Sequence, residues 1–298
     1  MELSVYHTGL LITTGINILM GLSVYVMLST GQLSIGSAGF MAIGAYTASV
    51  LTMVLKWDLN LALVAGGGLA AIVGLIIAFP ALRLSMFYLA MATLGFSEIV
   101  RVFFVNFKNT GGPLGYGGMT GTTLLMTTIW VVLFLLAFWR IYASRLGRAF
   151  HALAQDQVAA EAMGLNPTLL KVTAFVISGF SAGIAGGLFA HDAMFISPAY
   201  FTIMPAFFAV LAVILGGRAT VWGVVVGTFI FSFLPELLRF LGDWRMAAYG
   251  AVFVVVLIFR PNGLITAHTL DFRGRWNRRK SAIAAQRALA DADLEKVM

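Results

Sequence analysis

SRLGRAFHALAQDQVAAEAMGLNPTLLK, Ser144 to Lys171, is the one long polar stretch between hydrophobic runs. Arg145, Arg148 and Lys171 stand towards its ends, with Asp156 and Glu161 inside. Ala-rich turns between Gln155 and Met163 favour helix, and Gly164 followed by Asn166-Pro167 predicts a stop. An otherwise apolar chain thus presents a compact helical handle to water on one side of a membrane. A membrane channel needs such a handle if something outside the membrane must push on it.

The surrounding composition sets the class. The chain is 60% hydrophobic and 10% charged, with a mean hydropathy of +0.94, whereas soluble domains are about 25% charged. Repeated apolar runs of roughly 20 residues predict an all-α, polytopic transmembrane bundle. Its 32 glycines suit close helix packing in lipid. With no Cys, disulfides and thiolate metal sites are excluded. The net charge of +7 comes from basic residues clustered in a few loops and the tail, which argues for topology rather than nucleic-acid binding. The N-terminus, with Glu2 and no basic leader region, does not read as a cleaved signal peptide.

Working outward from Ser144–Lys171, nine spans are expected, at 9–29, 32–55, 59–79, 86–107, 121–142, 172–193, 202–217, 219–240 and 244–260. If 143–171 is cytoplasmic, Arg83, Arg140, Arg145, Arg148, Lys171, Arg218 and Arg260 all lie inside. Lys56, Lys108 and Arg245 fall outside, with Arg101 and Arg239 near outer span ends. The positive-inside bias then places the N-terminus outside and the C-terminus in the cytoplasm. Residues 1–265 form the membrane domain in this reading. Residues 266–298 form a cytoplasmic tail, with a basic FRGRWNRRK part against anionic lipid headgroups and an Ala-rich helix former after it.

Small residues recur four apart on single helical faces: Gly179, Gly183 and Gly187; Ala182, Gly186 and Ala190; Gly66, Ala70, Gly74 and Ala78; Gly223 and Gly227. They read as packing faces within the bundle, with a subunit interface or a pore lining as the sharper alternative.

Enzyme signatures do not appear. The four histidines, His7, His151, His191 and His268, are scattered without paired-ligand spacing. His191 beside Asp192 reads as interfacial polarity rather than a metal site. There is no GxSxG elbow and no GxxxxGK[ST] phosphate loop, so this chain does not bind ATP by the P-loop mechanism. The Gly-rich run Gly111–Gly118 reads as an irregular external turn.

Two features point to transport. GQLSIGSAGFMAIGAY, Gly31 to Tyr46, opens span two with Gly, Ser and Gln where a membrane helix would normally continue. Broken helices expose backbone groups that serve as ligand sites in transporters, with a simple tight turn as the plainer reading. In TLGFSEIVR, Thr93 to Arg101, Glu98 and Arg101 stand three apart inside an apolar span. Such charges are expensive unless paired or wet. Gly31, Ser34, Gly36, Ser37, Gly39, Thr93 and Glu98 are therefore the candidate substrate pathway.

These segments resemble the LivM-type permeases of the branched-chain amino-acid ABC importer family. The resemblance runs over roughly 10–265. It is carried in order by GQLSIGSAGFMAIGAYTA, YLAMATLGFSEIVR with TGGPLGYGGM, the handle running into VTAFVISGFSAGIAGGLFA, LGGRATVWGVVVG, LPELLR and FRPNGL. It implies that the handle docks into a groove on an ATPase subunit. The family's usual E-A-A-x-x-x-G pattern appears here as Val158-Ala159-Ala160 before Gly164, with Val158 in place of the Glu. Asp156, Ala159, Ala160, Glu161 and Gly164 become the coupling candidates, with Asp156 and Glu161 as substitute acidic contacts. It also implies a homologous second permease, two P-loop ATPase subunits carrying ATP and Mg, an extracytoplasmic substrate-binding protein, and a place in the cell membrane. No cofactor is expected on this chain. Branched-chain or other hydrophobic amino acids are the implied substrates. A permease for urea or short amides, an ATP-independent secondary transporter and a non-transporting scaffold are the rival readings.

Overall fold

The computed structural model describes residues 5–218, 220–260 and 263–265; the expected tail, 266–298, lies outside them. Helices run α1 Val5–Ser29, α2 Ser37–Met53, α3 Leu59–Ala81, α4 Met86–Asn106, α5 Leu124–Ala143, α6 Arg145–Gln155, α7 Gln157–Ala162, α8 Pro167–Ala193, α9 Ile203–Gly216, α10 Val221–Leu237 and α11 Arg245–Phe259. Two-residue strands, β1 Tyr116–Gly117 and β2 Phe195–Ile196, pair antiparallel and tie the Gly111–Gly118 loop to the end of α8.

Among the described residues, six helices are long and apolar enough to cross a membrane: Tyr6–Ser29, Leu59–Ala81, Met86–Asn106, Leu124–Ala143, Pro167–Ala193 and Val221–Phe240. The other three expected spans coincide with shorter helices. α2, α9 and α11 have 17, 14 and 15 residues, each under the roughly 20 needed to span about 30 Å of hydrocarbon as helix alone. For α2 the shortfall has a local cause: residues 32–36 are not helical.

Glycine sets the centre of the bundle. α2, α3 and α8 pack backbone to backbone. A Cβ on Gly44 would land in the backbone of Gly183, and one on Gly66 would lie 2.8 Å from the Gly44 carbonyl. One on Gly179 would lie 2.6 Å from the Ala70 carbonyl. The four-residue stripes on α3 and α8 are therefore spent inside the chain, as the packing reading expected. Gly223 and Gly227 do the same for α10 against the end of α9.

α1 runs along α8 of this trio, with Ile16, Leu19, Leu22 and Tyr25 fully enclosed. Polar groups meet across the joints. Ser23 and Ser178 hydroxyls lie 2.9 Å apart, and Ser181 donates to the Leu19 carbonyl at 2.8 Å. His191 is buried rather than interfacial. Its Nδ1 donates to the Gly187 carbonyl at 2.8 Å and its Nε2 meets the Thr52 hydroxyl at 2.9 Å. The imidazole thus clamps α2 to α8, because a buried polar group needs partners.

Candidate functional site

The break before α2 is a built feature. After Ser29 the chain turns through Gly31 at φ +75°, continues as Gln32–Gly36, and re-enters helix at Ser37. Gln32, Ser34 and Ser37 are all buried. A bare segment at this depth would leave its amides unpaired, and α4 supplies the partners. The Ile35 amide donates to Thr93 Oγ1 at 3.0 Å and the Gly39 amide donates to Ser97 Oγ at 3.2 Å. Ser97 in turn donates to the Ile35 carbonyl at 3.3 Å. Within the segment, the Gly36 amide donates to Ser34 Oγ at 3.2 Å. The structure therefore joins Ser34, Gly36, Gly39 and Thr93, with Ser37 beside them. Ser97 is the member that the sequence reading missed. It sits four residues from Thr93 in the quoted TLGFSEIVR, so helical spacing alone places both hydroxyls on one face.

Glu98 is not in this cluster. The buried face of α4 carries Leu89, Thr93, Phe96, Ser97, Val100 and Phe104, while Glu98 points off the bundle with its side chain half exposed. It forms a bidentate pair with Arg101, whose Nε donates to both carboxylate oxygens at 2.9 Å. Glu98 therefore stands apart from the hydroxyl cluster that seats the break. Position three from Arg101 fixed the pairing but not which face turns inward.

The polar handle folds as two helices. Asp156 ends α6 and caps α7, its Oδ1 accepting from the amides of Val158 at 2.8 Å and Ala159 at 3.0 Å. Its carboxylate is thus engaged in the cap. Gly164, at φ +83°, closes α7 as expected, and the Leu165 amide donates to the Ala160 carbonyl at 3.1 Å. Asn166 caps α8, accepting from the Leu169 amide at 3.1 Å, with Pro167 in the first turn. Ala159 and Glu161 are exposed, whereas Ala160 is buried at 4%. Val158 and Met163 are the large apolar side chains that α7 and its end expose, at 77% and 84%.

The break and the handle touch. A Cβ on Gly31 would lie 3.3 Å from the Ala154 Cα of α6. A crevice of about 440 Å³ at this joint is lined by Ser29, Gly31, His151, Ala154 and Arg218 among others. Ser29 Oγ and the Tyr142 hydroxyl meet at 2.5 Å, fixing the end of α1 to α5. Partial burial lowers the His151 pKa and favours its neutral ring, which stands 5.7 Å from the Tyr142 ring. Gly31 therefore belongs to the joint with the handle rather than to the hydroxyl cluster.

The model of the family described as "Branched-chain amino acid transport system / permease component" matches residues 6–260, nearly all of the described helices. The chain belongs to this family. It is 34% identical to the high-affinity branched-chain amino acid transport system permease protein LivM of Salmonella typhimurium and equally to that of Escherichia coli. Each alignment takes in 84% of this chain and 66% of the relative, so the chain spans just under two thirds of their length. A probable branched-chain amino acid transport permease, LivM, of Methanocaldococcus jannaschii is 26% identical over 70% of this chain and 68% of its own. No solved structure matches the chain. Family membership and six apolar crossing helices make this a multi-pass membrane protein.

Proposed function

We propose that the chain is the permease subunit of an ATP-driven importer that carries branched-chain or other hydrophobic amino acids into the cell. In this reading residues 1–265 are the membrane domain, cross nine times and start outside. α6 and α7 face the cytoplasm, and residues 266–298 follow on that side. The observation that carries the mechanism is the contact between Gly31 and Ala154. It joins a water-exposed handle directly to the broken start of a membrane helix. A push on Val158 and Met163 from a partner ATPase would move α6, and α6 would carry Gly31 and the Gln32–Gly36 segment with it. The Thr93–Ser97 hydroxyls give that segment a defined seat on α4 to leave or regain, which is the two-state element such a switch requires.

Partners follow from the same surfaces. One of two ATPase subunits, which hold ATP and Mg, would meet α7 and the other would meet the second permease; that second permease would cover the face of α4 that carries Glu98 and Arg101. An ion pair facing lipid is costly, by roughly 2.5–3.5 kcal/mol for a charge at mid-depth, so this face is better explained by protein than by acyl chains. A binding protein would deliver the amino acid at the end remote from α6 and α7. Affinity purification of the tagged chain from its native membrane in mild detergent, with mass spectrometry of what co-purifies, tests the assembly. Recovery of a second permease and P-loop ATPases supports it. A chain that emerges alone, under conditions that keep other complexes whole, overturns it.

A further inference from the structure

A separate cavity of about 430 Å³ lies between α1, α9 and α10, with Phe189 of α8 and Tyr200 at its side. Its size falls in the range of small-molecule sites, about 300–1,000 Å³. It occupies the half of the bundle remote from the handle. Arg218, just before α10, lies at the handle joint, whereas Thr228, Phe231 and Ser232 line the cavity further along that helix. Phe208 and Met20 provide apolar wall, and polar groups are set into it from two helices: Thr13 and Asn17 on α1, Thr228 and Ser232 on α10. Asn17 Nδ2 donates to Ser232 Oγ at 3.1 Å across the wall. The Thr228 hydroxyl is buried without a hydrogen-bond partner among the described residues. It faces Gly21, where a Cβ would come to 2.9 Å.

An apolar body with a few placed polar atoms is the pattern of a small-molecule site rather than of a lipid crevice. Beyond the cavity, one residue after Pro235 and one turn before Leu10, stand Glu236, Arg239 and Tyr6. Glu236 and Arg239 pair at 3.4 Å, and the Arg239 guanidinium lies 6.0 Å from the centre of the Tyr6 ring. One acid and one base thus stand within about one helical turn, along the chain, of the lining residues Leu10 and Pro235, and a zwitterion that carries an apolar side chain matches charges of both signs next to an apolar chamber.

We infer that this cavity is a binding chamber for such a zwitterionic, apolar amino acid on its way through the protein; the inference rests on the transport reading above. The absence of cysteine makes the test clean. Ser232→Cys and, as a second reporter, Thr13→Cys are expressed in the native host with all partners. Each is treated with a charged, water-soluble methanethiosulfonate in spheroplasts and in inverted vesicles, with and without leucine. Leu136→Cys, on the exposed face of α5, is the control. The chamber predicts labelling about tenfold faster than the control from at least one side, slowed about threefold or more by leucine, as mass action at a shared site demands. Labelling by N-ethylmaleimide but not by the charged reagent, at both reporters, overturns the inference, because the cavity then holds lipid. Unslowed labelling while the wild-type complex takes up leucine also overturns it and leaves the transport reading intact. Protection by leucine without leucine uptake by the wild-type complex overturns the transport reading and keeps the site. Loss of both overturns both.

Discussion

A side chain at position 44 has nowhere to go. Its Cβ would enter the backbone of Gly183, and neither helix can yield without unseating α3, whose Gly66 rests on the Gly44 carbonyl. Gly44→Val is expected to destabilise the bundle by about 3 kcal/mol or more. Thermal challenge followed by fluorescence-detected size exclusion in detergent reads the effect; an unshifted midpoint would mean that the α2–α8 contact is looser than described. The small-residue periodicity was legible in the sequence because four-residue spacing defines a face. Which helix fills that face was not, since a stripe of glycines carries no information about its complement. Asn17 and Ser232, 215 positions apart, were readable only as lone polar residues in apolar spans, and nothing in a linear string pairs them.

At the scale of elements, the break before α2 and the handle behave differently. The break depends on hydroxyls borrowed from α4. Thr93→Val keeps the shape but removes the acceptor for the Ile35 amide. The expected cost is about 1–3 kcal/mol, seen as a lowered unfolding midpoint together with reduced leucine uptake. Normal values for both would show that the segment finds another partner. The handle depends on its exposed side chains. Met163→Arg is expected to cut uptake about tenfold or more with normal membrane levels, since central interface residues are commonly worth 1–2 kcal/mol or more. Uptake at the wild-type rate would remove α7 from the docking surface. Ala160 is the less informative position, because a bulky replacement there would damage the seat of α7 itself. The helix stop at Gly164 and Asn166-Pro167 was readable because capping is local chemistry, whereas the break at Asp156, which ends α6 and caps α7, falls inside what reads as one continuous helical stretch. The burial of Ala160 and the outward turn of Glu98 were not, because inside and outside are settled by neighbours from distant sequence.

For the whole molecule the decisive joint is the one between Gly31 and Ala154. Gly31→Val places a β-branched residue at φ +75°, where only glycine is comfortable, and against the backbone of α6. The expected result is a complex that assembles yet no longer couples. Leucine uptake should fall about tenfold while ATP hydrolysis by the purified complex persists, a change of roughly 1.4 kcal/mol or more in the linkage. Uptake and hydrolysis that decline in step would locate the coupling elsewhere.

The last described residues add a different kind of constraint. The amides of Leu264 and Ile265 donate to the carbonyls of Leu215 and Gly216, each at 2.9 Å, and so finish the final turn of α9. A chain cut before Gly263 would strip those carbonyls of their donors. Anything fused after Ile265 leaves from a fixed point beside Arg218, on the same side as the handle. For a reporter or a tether this is a surveyed exit, close enough to α6 and α7 to sense whatever binds them.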